Sequence, residues 1–121
     1  MRLWHKDLIS LLPRQQLLGQ HRECCALRGK GWGKKHGTVD YVFKHNFACL
    51  LWYHFKIMVE MGNRGYKVND LWYDPLYRGK LLSFDKSLVL GNAYDYPEHN
   101  QAYYQECIDN LKVKGLILNE R

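Results

Sequence analysis

Two stretches of the chain place apolar residues at helical spacing and carry clear end signals. The first covers residues 13–28, and Pro13 suits a first helical turn because its missing N–H would go unpaired there. The second covers residues 46–63, beginning at Asn46, a good N-cap, and ending just before Gly65, a residue type that commonly stops helices. We therefore predict two long helices over these stretches.

A third helix is predicted near the C-terminus. Pro97 suits its first turn, Lys112 and Lys114 favour the negative end of the helix dipole, and Gly115 stops it. Residues 66–96 are interrupted by proline and glycine, which predicts loops with one or two short helical turns. The pattern as a whole indicates an all-α fold: a compact single-domain bundle of about three main helices with long irregular connections, spanning residues 1–121.

The second predicted helix is apolar nearly all round. Its apolar members are Phe47, Cys49, Leu50, Leu51, Trp52, Tyr53, Phe55, Ile57, Met58, Val59 and Met61. A helix with apolar residues on every side is normally buried on every side. We therefore expect this helix to be the buried centre of the fold.

The distribution of charge suggests a binding surface. The formal net charge is +6, and residues 1–36 hold eight Lys or Arg against two acids, whereas residues 37–121 hold ten of each sign. Within the first part, residues 29–35 alternate three glycines with lysines and Trp32, which predicts a flexible basic loop. This distribution indicates a surface that faces a polyanion, and the alternative is a solvated basic face without a partner.

The cysteines and the N-terminus indicate the compartment. The four cysteines form no C-x-x-C pair, so reduced intracellular thiols are expected rather than a zinc site or a disulfide framework. Charged residues interrupt the N-terminus before any apolar stretch reaches signal-peptide length. The longest apolar run, residues 47–61, is too short to span a bilayer. We expect a soluble, cytoplasmic protein.

Candidate chemistry lies on the first predicted helix. The side expected to face the core consists of Leu17, Leu18, Cys24, Cys25 and Leu27. On the other side, Gly19 and Ala26 lie together, bordered by Arg22 and Glu23. A glycine within a helix costs about 1 kcal/mol relative to alanine, so Gly19 indicates close approach by another backbone or a ligand. The alternative is a solvent-exposed face that carries small residues by chance.

The residues of this helix resemble those of a known family. The sequence Gln20-His21-Arg22-Glu23, reached by Leu17-Leu18 after a basic N-terminal stretch, is similar to the pyrimidine-dimer DNA glycosylase family of endonuclease V type, whose signature is an Arg-Glu pair at this distance from the start. Residues 1–7, 17–23 and 31–43 resemble a bacterial branch of that family, and the likeness continues to Gly65-Tyr66. The resemblance implies an all-helical enzyme of the bacterial cytoplasm or nucleoid. Such an enzyme binds damaged double-stranded DNA, flips a nucleotide, breaks the glycosidic bond and cleaves the strand at the abasic sugar.

The resemblance also implies the catalytic residues. The α-amine of Met1 is the nucleophile, Glu23 assists the sugar chemistry, and Arg22 holds phosphate beside the lesion. The reference pKa of an α-amine is about 7.7–8.0 against about 10.4 for lysine, so a useful fraction is unprotonated at neutral pH. The amine can form an imine at C1′, the electron sink for β-elimination. No metal, organic cofactor or protein partner is required, and a monomer is expected.

Further DNA contacts are expected around this site. Residues expected to neutralise phosphates, without sequence preference, are Arg2, Arg14, Arg22, Lys30, Lys34, Lys35 and His36. Trp32, in the glycine-rich loop, is a candidate for stacking on a base or wedging into the duplex. The alternative for this tryptophan is a packing role.

The chain departs from the family pattern at three places. The family usually removes the initiator methionine to expose a small second residue, but Arg2 is too large for that removal. The amine therefore stays on Met1, displaced by one position or compensated by a one-residue shift in the alignment. Ala26 stands where the family carries a further arginine, and Arg28 is displaced from that position by about half a turn. The family's C-terminal aromatic and basic segment, which contributes to lesion recognition, has a loose counterpart in Tyr94, Tyr96, Tyr103 and Tyr104.

Other functions compete with this one. His45 and Cys49 are four residues apart and could share a face as metal ligands, but the sequence shows no matching second pair, so a structural role is favoured. A hydrolase is not indicated, because there is no nucleophile elbow and Cys24-Cys25 lies on the predicted core side. Two alternatives stay open: a non-catalytic nucleic-acid-binding module on the same scaffold, and an enzyme of the same chemistry that acts on another lesion or only on abasic sites.

Overall fold

The computed structural model describes residues 2–34, 37, 39–80 and 91–118. The three long elements are α1 (Arg14–Arg28), α2 (Phe47–Asn63) and α3 (Gln101–Val113). Short 3₁₀ helices occupy Lys6–Leu11, Asp40–Lys44 and Asp70–Tyr73. These described ranges contain no β-strand. The predicted all-α architecture with three main helices is therefore confirmed.

α1 and α2 lie where the sequence predicts them, each beginning within one residue of the expected start. α2 ends in a Schellman motif, in which the Tyr66 N–H donates to the Met61 carbonyl at 2.9 Å and the Gly65 N–H donates to the Gly62 carbonyl at 3.0 Å. Gly65 has a φ of +81° in this motif. Glycine adopts that left-handed conformation without the steric cost of a Cβ, so this one residue marks the end of α2 in the sequence.

α3 begins later than predicted. The Asn100 side chain accepts a hydrogen bond from the Tyr103 N–H at 2.9 Å and so caps the helix, which leaves Pro97 outside its first turn. The predicted start was wrong because a proline suits the turn before a helix as well as a first helical turn. The predicted end is confirmed, with Gly115 just beyond Val113 at a φ of +82°.

The core forms around one side of α2. α1 packs along α2, and the 3₁₀ helices Lys6–Leu11 and Asp40–Lys44 also pack against it. The large aliphatic side chains with no more than 1% exposure include Leu3, Leu8, Leu12, Leu17, Leu27, Leu50, Ile57, Met58 and Leu111. Each buried side chain of this size contributes about 1.5–3 kcal/mol. The core therefore joins the N-terminal residues to all three α-helices.

The expectation that α2 is buried on every side was wrong. Trp52, Phe55 and Val59 form a stripe on this helix and are 40%, 44% and 40% exposed. The other elements of the described ranges are too few and too short to surround a helix of 17 residues. The apolar residues on every face of α2 therefore did not predict that every face is buried.

None of the helices in the described ranges has the length and apolarity needed to cross a membrane. All four cysteines are free thiols.

Candidate functional site

The backbone of the N-terminal segment, residues 2–6, is held against α1 by one buried amide. Gln20 is 2% exposed, its Oε1 accepts a hydrogen bond from the Trp4 N–H at 3.0 Å, and its Nε2 donates to the Arg2 carbonyl at 2.9 Å. Both ends of the amide are paired with backbone, so its orientation is fixed. Gln20 therefore sets the position of the N-terminal segment along α1.

Three further side chains fasten the same segment from other parts of the chain. The Tyr53 hydroxyl of α2 donates to the Trp4 carbonyl at 2.7 Å, and the Tyr103 hydroxyl of α3 donates to the Leu3 carbonyl at 2.6 Å. His99 Nδ1 accepts from the Lys6 N–H at 3.1 Å, and burial lowers the pKa of this imidazole to about 3, so it stays neutral as an acceptor requires. The N-terminal segment is thereby tied to all three α-helices and the loop before α3.

The Arg-Glu pair lies next to this anchored segment. Glu23 follows Gln20 by three residues, so the two side chains are neighbours on the surface of α1. Glu23 is partly buried and Arg22 is exposed, and neither forms a hydrogen bond or an ion pair with the described residues. Met1, the predicted nucleophile, lies outside the described residues, as do Lys35 and His36.

Gly19 faces an open pocket of about 480 Å³ rather than another backbone. A Cβ at this position would meet only Arg22 Nη2, at an ordinary contact distance of 3.7 Å. The pocket is also lined by Trp4, Gln16 and Lys114. Its volume lies within the range of about 300–1,000 Å³ that is common for ligand sites. Close approach by another backbone is therefore wrong for Gly19, and the open space fits both a ligand and a solvent-exposed face that carries small residues.

The other predicted DNA contacts have varied surroundings. Arg2 forms an ion pair with Glu106 of α3 at 3.2 Å, and the guanidinium of Arg14 stacks over Tyr66 at 5.5 Å from the ring centre. Lys30 and Lys34 are both exposed in the loop after α1. The DNA contacts predicted for these four residues stay predictions. The nearby carboxylate makes Arg2 less available to a phosphate than an unpaired arginine.

Trp32 is packed against the protein in this structure. Its ring meets Phe43 and Phe47 edge to face, with ring centres 5.0 Å and 4.7 Å apart. The loop that carries it folds tightly onto α1, because a Cβ at Gly31 would lie 2.8 Å from the Ala26 carbonyl oxygen. Contact between Trp32 and DNA stays a prediction. Such a contact would involve the exposed part of the half-buried ring.

Arg28 is buried and its hydrogen bonds go to the protein. It is 1% exposed and donates to the backbone carbonyls of Trp72, Asp74 and Tyr77 at 2.7, 2.8 and 3.0 Å. Its Nη1 also lies 3.0 Å from His54 Nδ1. Arg28 therefore fastens the 72–77 loop to the end of α1, and it does not replace the arginine that the family carries where this chain has Ala26.

A cluster of His21, Cys25 and His54 beside Arg28 was missed by the sequence analysis. His21 Nδ1 lies 2.9 Å from His54 Nε2, and Cys25 Sγ lies 3.7–3.9 Å from the imidazole nitrogens of both histidines. Burial lowers the pKa of His54 to about 2 and raises that of the Cys25 thiol to about 11. The spacing of four residues between His21 and Cys25 was the one available sequence signal, because His54 comes from α2.

The cluster has the spacing of a metal site but the wrong hydrogen bonding. Its three ligand atoms lie within 4.8 Å of one another. Arg28 can only donate, so His54 Nδ1 accepts its hydrogen bond and Nε2 carries the proton. A histidine that binds a metal through Nε2 normally donates from Nδ1 instead. The geometry therefore favours a chain of hydrogen bonds from Arg28 through His54 to His21.

His45 and Cys49, considered above as possible metal ligands, lie among other protein groups. His45 Nε2 lies 2.9 Å from a Glu98 carboxylate oxygen, and its Nδ1 lies 2.9 Å from the Tyr94 hydroxyl. Cys49 is 1% exposed. These contacts connect the start of α2 to the loop before α3.

Comparisons with known proteins assign the family. The model of the family described as pyrimidine dimer DNA glycosylase matches residues 1–74, which include α1, α2 and the Arg22-Glu23 pair but not α3. No curated protein and no solved structure matches the chain. The matched part covers more than half of the sequence and contains the anchored N-terminal segment described above. The chain therefore belongs to the pyrimidine dimer DNA glycosylase family, a family of DNA-repair enzymes that act on damaged DNA.

Proposed function

We propose that the protein is a DNA glycosylase with AP-lyase activity on damaged duplex DNA, with the α-amine of Met1 as nucleophile and Glu23 as the assisting carboxylate. The observation that carries this proposal is the anchoring of residues 2–6 by Gln20, Tyr53, Tyr103 and His99. An amine nucleophile has to be held beside its catalytic partner, since orientation accounts for much of the rate that an enzyme gains.

The anchored segment lies against the part of α1 that carries Glu23. The Arg2 carbonyl is 2.9 Å from Gln20 Nε2, and Glu23 is one helical turn from Gln20 on an adjoining face. Side chains at that spacing have Cβ atoms about 5–6 Å apart. Met1 is bonded to Arg2, and consecutive Cα atoms are about 3.8 Å apart. This spacing supports the proposal that the amine and the carboxylate act on one deoxyribose.

The proposed reaction needs only these two groups and water. The amine attacks C1′ of the damaged nucleotide as the base leaves with its bonding electrons, and ring opening then gives an imine between the protein and the sugar. Loss of a C2′ proton moves electrons toward the imine and expels the 3′ phosphate, which cleaves the strand. Hydrolysis of the remaining imine releases the amine. The Glu23 carboxylate stabilises positive charge on the sugar and transfers protons.

The decisive test is borohydride trapping of untagged protein on duplex DNA that contains an abasic site. Borohydride reduces the imine to a stable amine, so we expect a covalent adduct that maps to Met1 and disappears when the N-terminus is acetylated. Glu23→Gln should abolish strand cleavage while leaving DNA affinity nearly unchanged. Asp109→Asn, an exposed carboxylate change on α3, is the matched control and should leave both unchanged.

Other outcomes would redirect the assignment. If salt-sensitive DNA binding persists without any adduct, the protein is a nucleic-acid-binding module and the catalytic proposal is wrong. If Glu23→Gln lowers binding and cleavage equally, Glu23 has a structural role. A panel of lesions separates pyrimidine-dimer specificity from activity on abasic sites alone.

A further inference from the structure

We propose that Lys114, at the C-terminal end of α3, forms a phosphate clamp with Arg22 of α1 across the pocket over Gly19. The clamp would extend the DNA-binding surface to α3, which lies outside the part of the chain that the family model matches. This inference rests on the proposed action on DNA, and it adds a binding residue that neither the sequence pattern nor the family comparison identifies.

Among the described residues, the lining of the pocket contains two cations and no acid. Arg22 and Lys114 are the charged residues of its lining, and the remaining lining residues are aromatic, aliphatic, glycine or glutamine. Both cations are exposed, and neither forms an ion pair with the residues that the structure describes. Two like charges at one pocket repel each other, and a bound anion would remove that repulsion.

Three other arginines of the protein are already paired with protein groups. Arg2 pairs with Glu106, Arg64 pairs with Glu60 at 2.8 Å, and Arg78 donates to the carbonyls of Arg28 and Gly29 at 2.6 and 3.2 Å. Arg22 and Lys114 differ from them in lacking such partners among the described residues. Their charges are therefore available to a ligand.

The backbone that carries Lys114 is fixed by the end of α3. The Gly115 N–H donates to the Lys112 carbonyl at 2.9 Å, and the Leu116 N–H donates to the Leu111 carbonyl at 2.8 Å. Leu111 is fully buried in the core. Lys114 therefore extends from a rigid helix end, so little backbone entropy is lost when its side chain binds.

The pocket fits a phosphodiester of the DNA backbone. Gly19 removes side-chain bulk beside Arg22, which leaves space for a phosphate and its sugar. The planar guanidinium can bind two phosphate oxygens at once, and the ammonium of Lys114 adds a second charge. Contacts of this kind contribute affinity and salt dependence without reading sequence.

The test compares Lys114→Gln with Lys112→Gln in binding to undamaged duplex DNA over a series of salt concentrations. Both lysines are exposed at the same end of α3, but only Lys114 lines the pocket. Removing one phosphate contact reduces the slope of log affinity against log salt by about 0.9. We expect that reduction, and a severalfold loss of affinity at low salt, for Lys114→Gln but not for Lys112→Gln. Equal effects of the two substitutions would overturn the clamp.

A double variant tests whether the two cations share one phosphate. If they do, the affinity lost in Arg22→Gln/Lys114→Gln differs from the product of the single losses, whereas independent sites give simple multiplication and overturn the clamp. Borohydride trapping distinguishes this result from the proposed function. An adduct together with equal lysine effects rejects the clamp alone, and a selective Lys114 effect without an adduct rejects the lyase alone. A wild-type protein that binds no DNA would reject both.

Discussion

Two parts of α1 use their buried polar groups in different ways: the open flank, Gln20 to Glu23, and the enclosed flank around Arg28 at the end of the helix. On one flank, the Gln20 amide holds the N-terminal segment and leaves Arg22 and Glu23 without partners among the described residues. On the other flank, Arg28 is surrounded by three carbonyl oxygens and His54, and its charge is enclosed. The difference shows that the arginines of one helix can have opposite uses. Partners far away in sequence decide which charges reach a ligand.

The largest expected effect comes from breaking the enclosed flank. Arg28→Ala leaves three carbonyl oxygens and His54 without their donor and releases the 72–77 loop, so we expect a loss of about 3–5 kcal/mol in unfolding free energy. Arg22→Ala is the matched control and should change stability by no more than about 0.5 kcal/mol, since the side chain is exposed. Urea denaturation of both variants measures the contrast. Similar losses in the two would contradict the distinction between the flanks.

The second largest effect is expected from acid, which should lower the unfolding free energy through His54 of the enclosed flank. The pKa of His54 is lowered by burial and by Arg28 to about 2 in the folded protein, against 6.5 for an ordinary histidine. The unfolded chain therefore binds the proton more readily, and stability is full above pH 6.5 and falls as the pH drops toward 2. At pH 5 the loss from this one histidine is about 2 kcal/mol.

Unfolding free energies measured between pH 8 and pH 5 would check this effect. His99, whose pKa is lowered to about 3, acts in the same direction. A His54→Gln variant should lose a substantial part of the pH dependence while retaining the contribution of His99. A wild-type protein that is equally stable at pH 5 and pH 8 would show that neither imidazole is held neutral.

A substitution of Gln20, which holds the N-terminal segment, should have a smaller effect on stability. Its effect on catalysis should be specific. Gln20→Met keeps the side-chain length but leaves the Trp4 N–H and the Arg2 carbonyl without partners, at a cost of about 1–3 kcal/mol. Because the amine is then less well placed, the rate of borohydride trapping should fall more than DNA affinity does. Gln105→Met, at an exposed position on α3, is the control. Parallel losses of rate and affinity in Gln20→Met would indicate a purely structural role.

The sequence determined the features that depend on neighbouring residues. The start of α1 after Pro13 and the end of α2 at Gly65 follow from local residues, because a proline and a left-handed glycine act within one helical turn. α2 begins after Asn46 as predicted, but the Asn46 side chain does not cap it and donates to the Asn92 carbonyl at 3.2 Å instead. The resemblance to the family was likewise seen in residues close together in sequence, chiefly Gln20 to Glu23, and the match of the family model to residues 1–74 confirms it. The start of α3 was misplaced because proline and the Asn100 cap are competing local signals.

Only the tertiary structure decided which of these residues are available to a ligand. The helical pattern places Arg22 away from the core side of α1, but nothing local shows that Arg28 is enclosed by carbonyl groups more than 40 residues away in the 72–77 loop. The sequence also gave no sign that Gln20 holds the N-terminal segment, or that Lys114 reaches the pocket over Gly19. Burial and hydrogen bonding between distant segments fix the availability of a charge, because a polar group removed from water must find its partner wherever the fold places one.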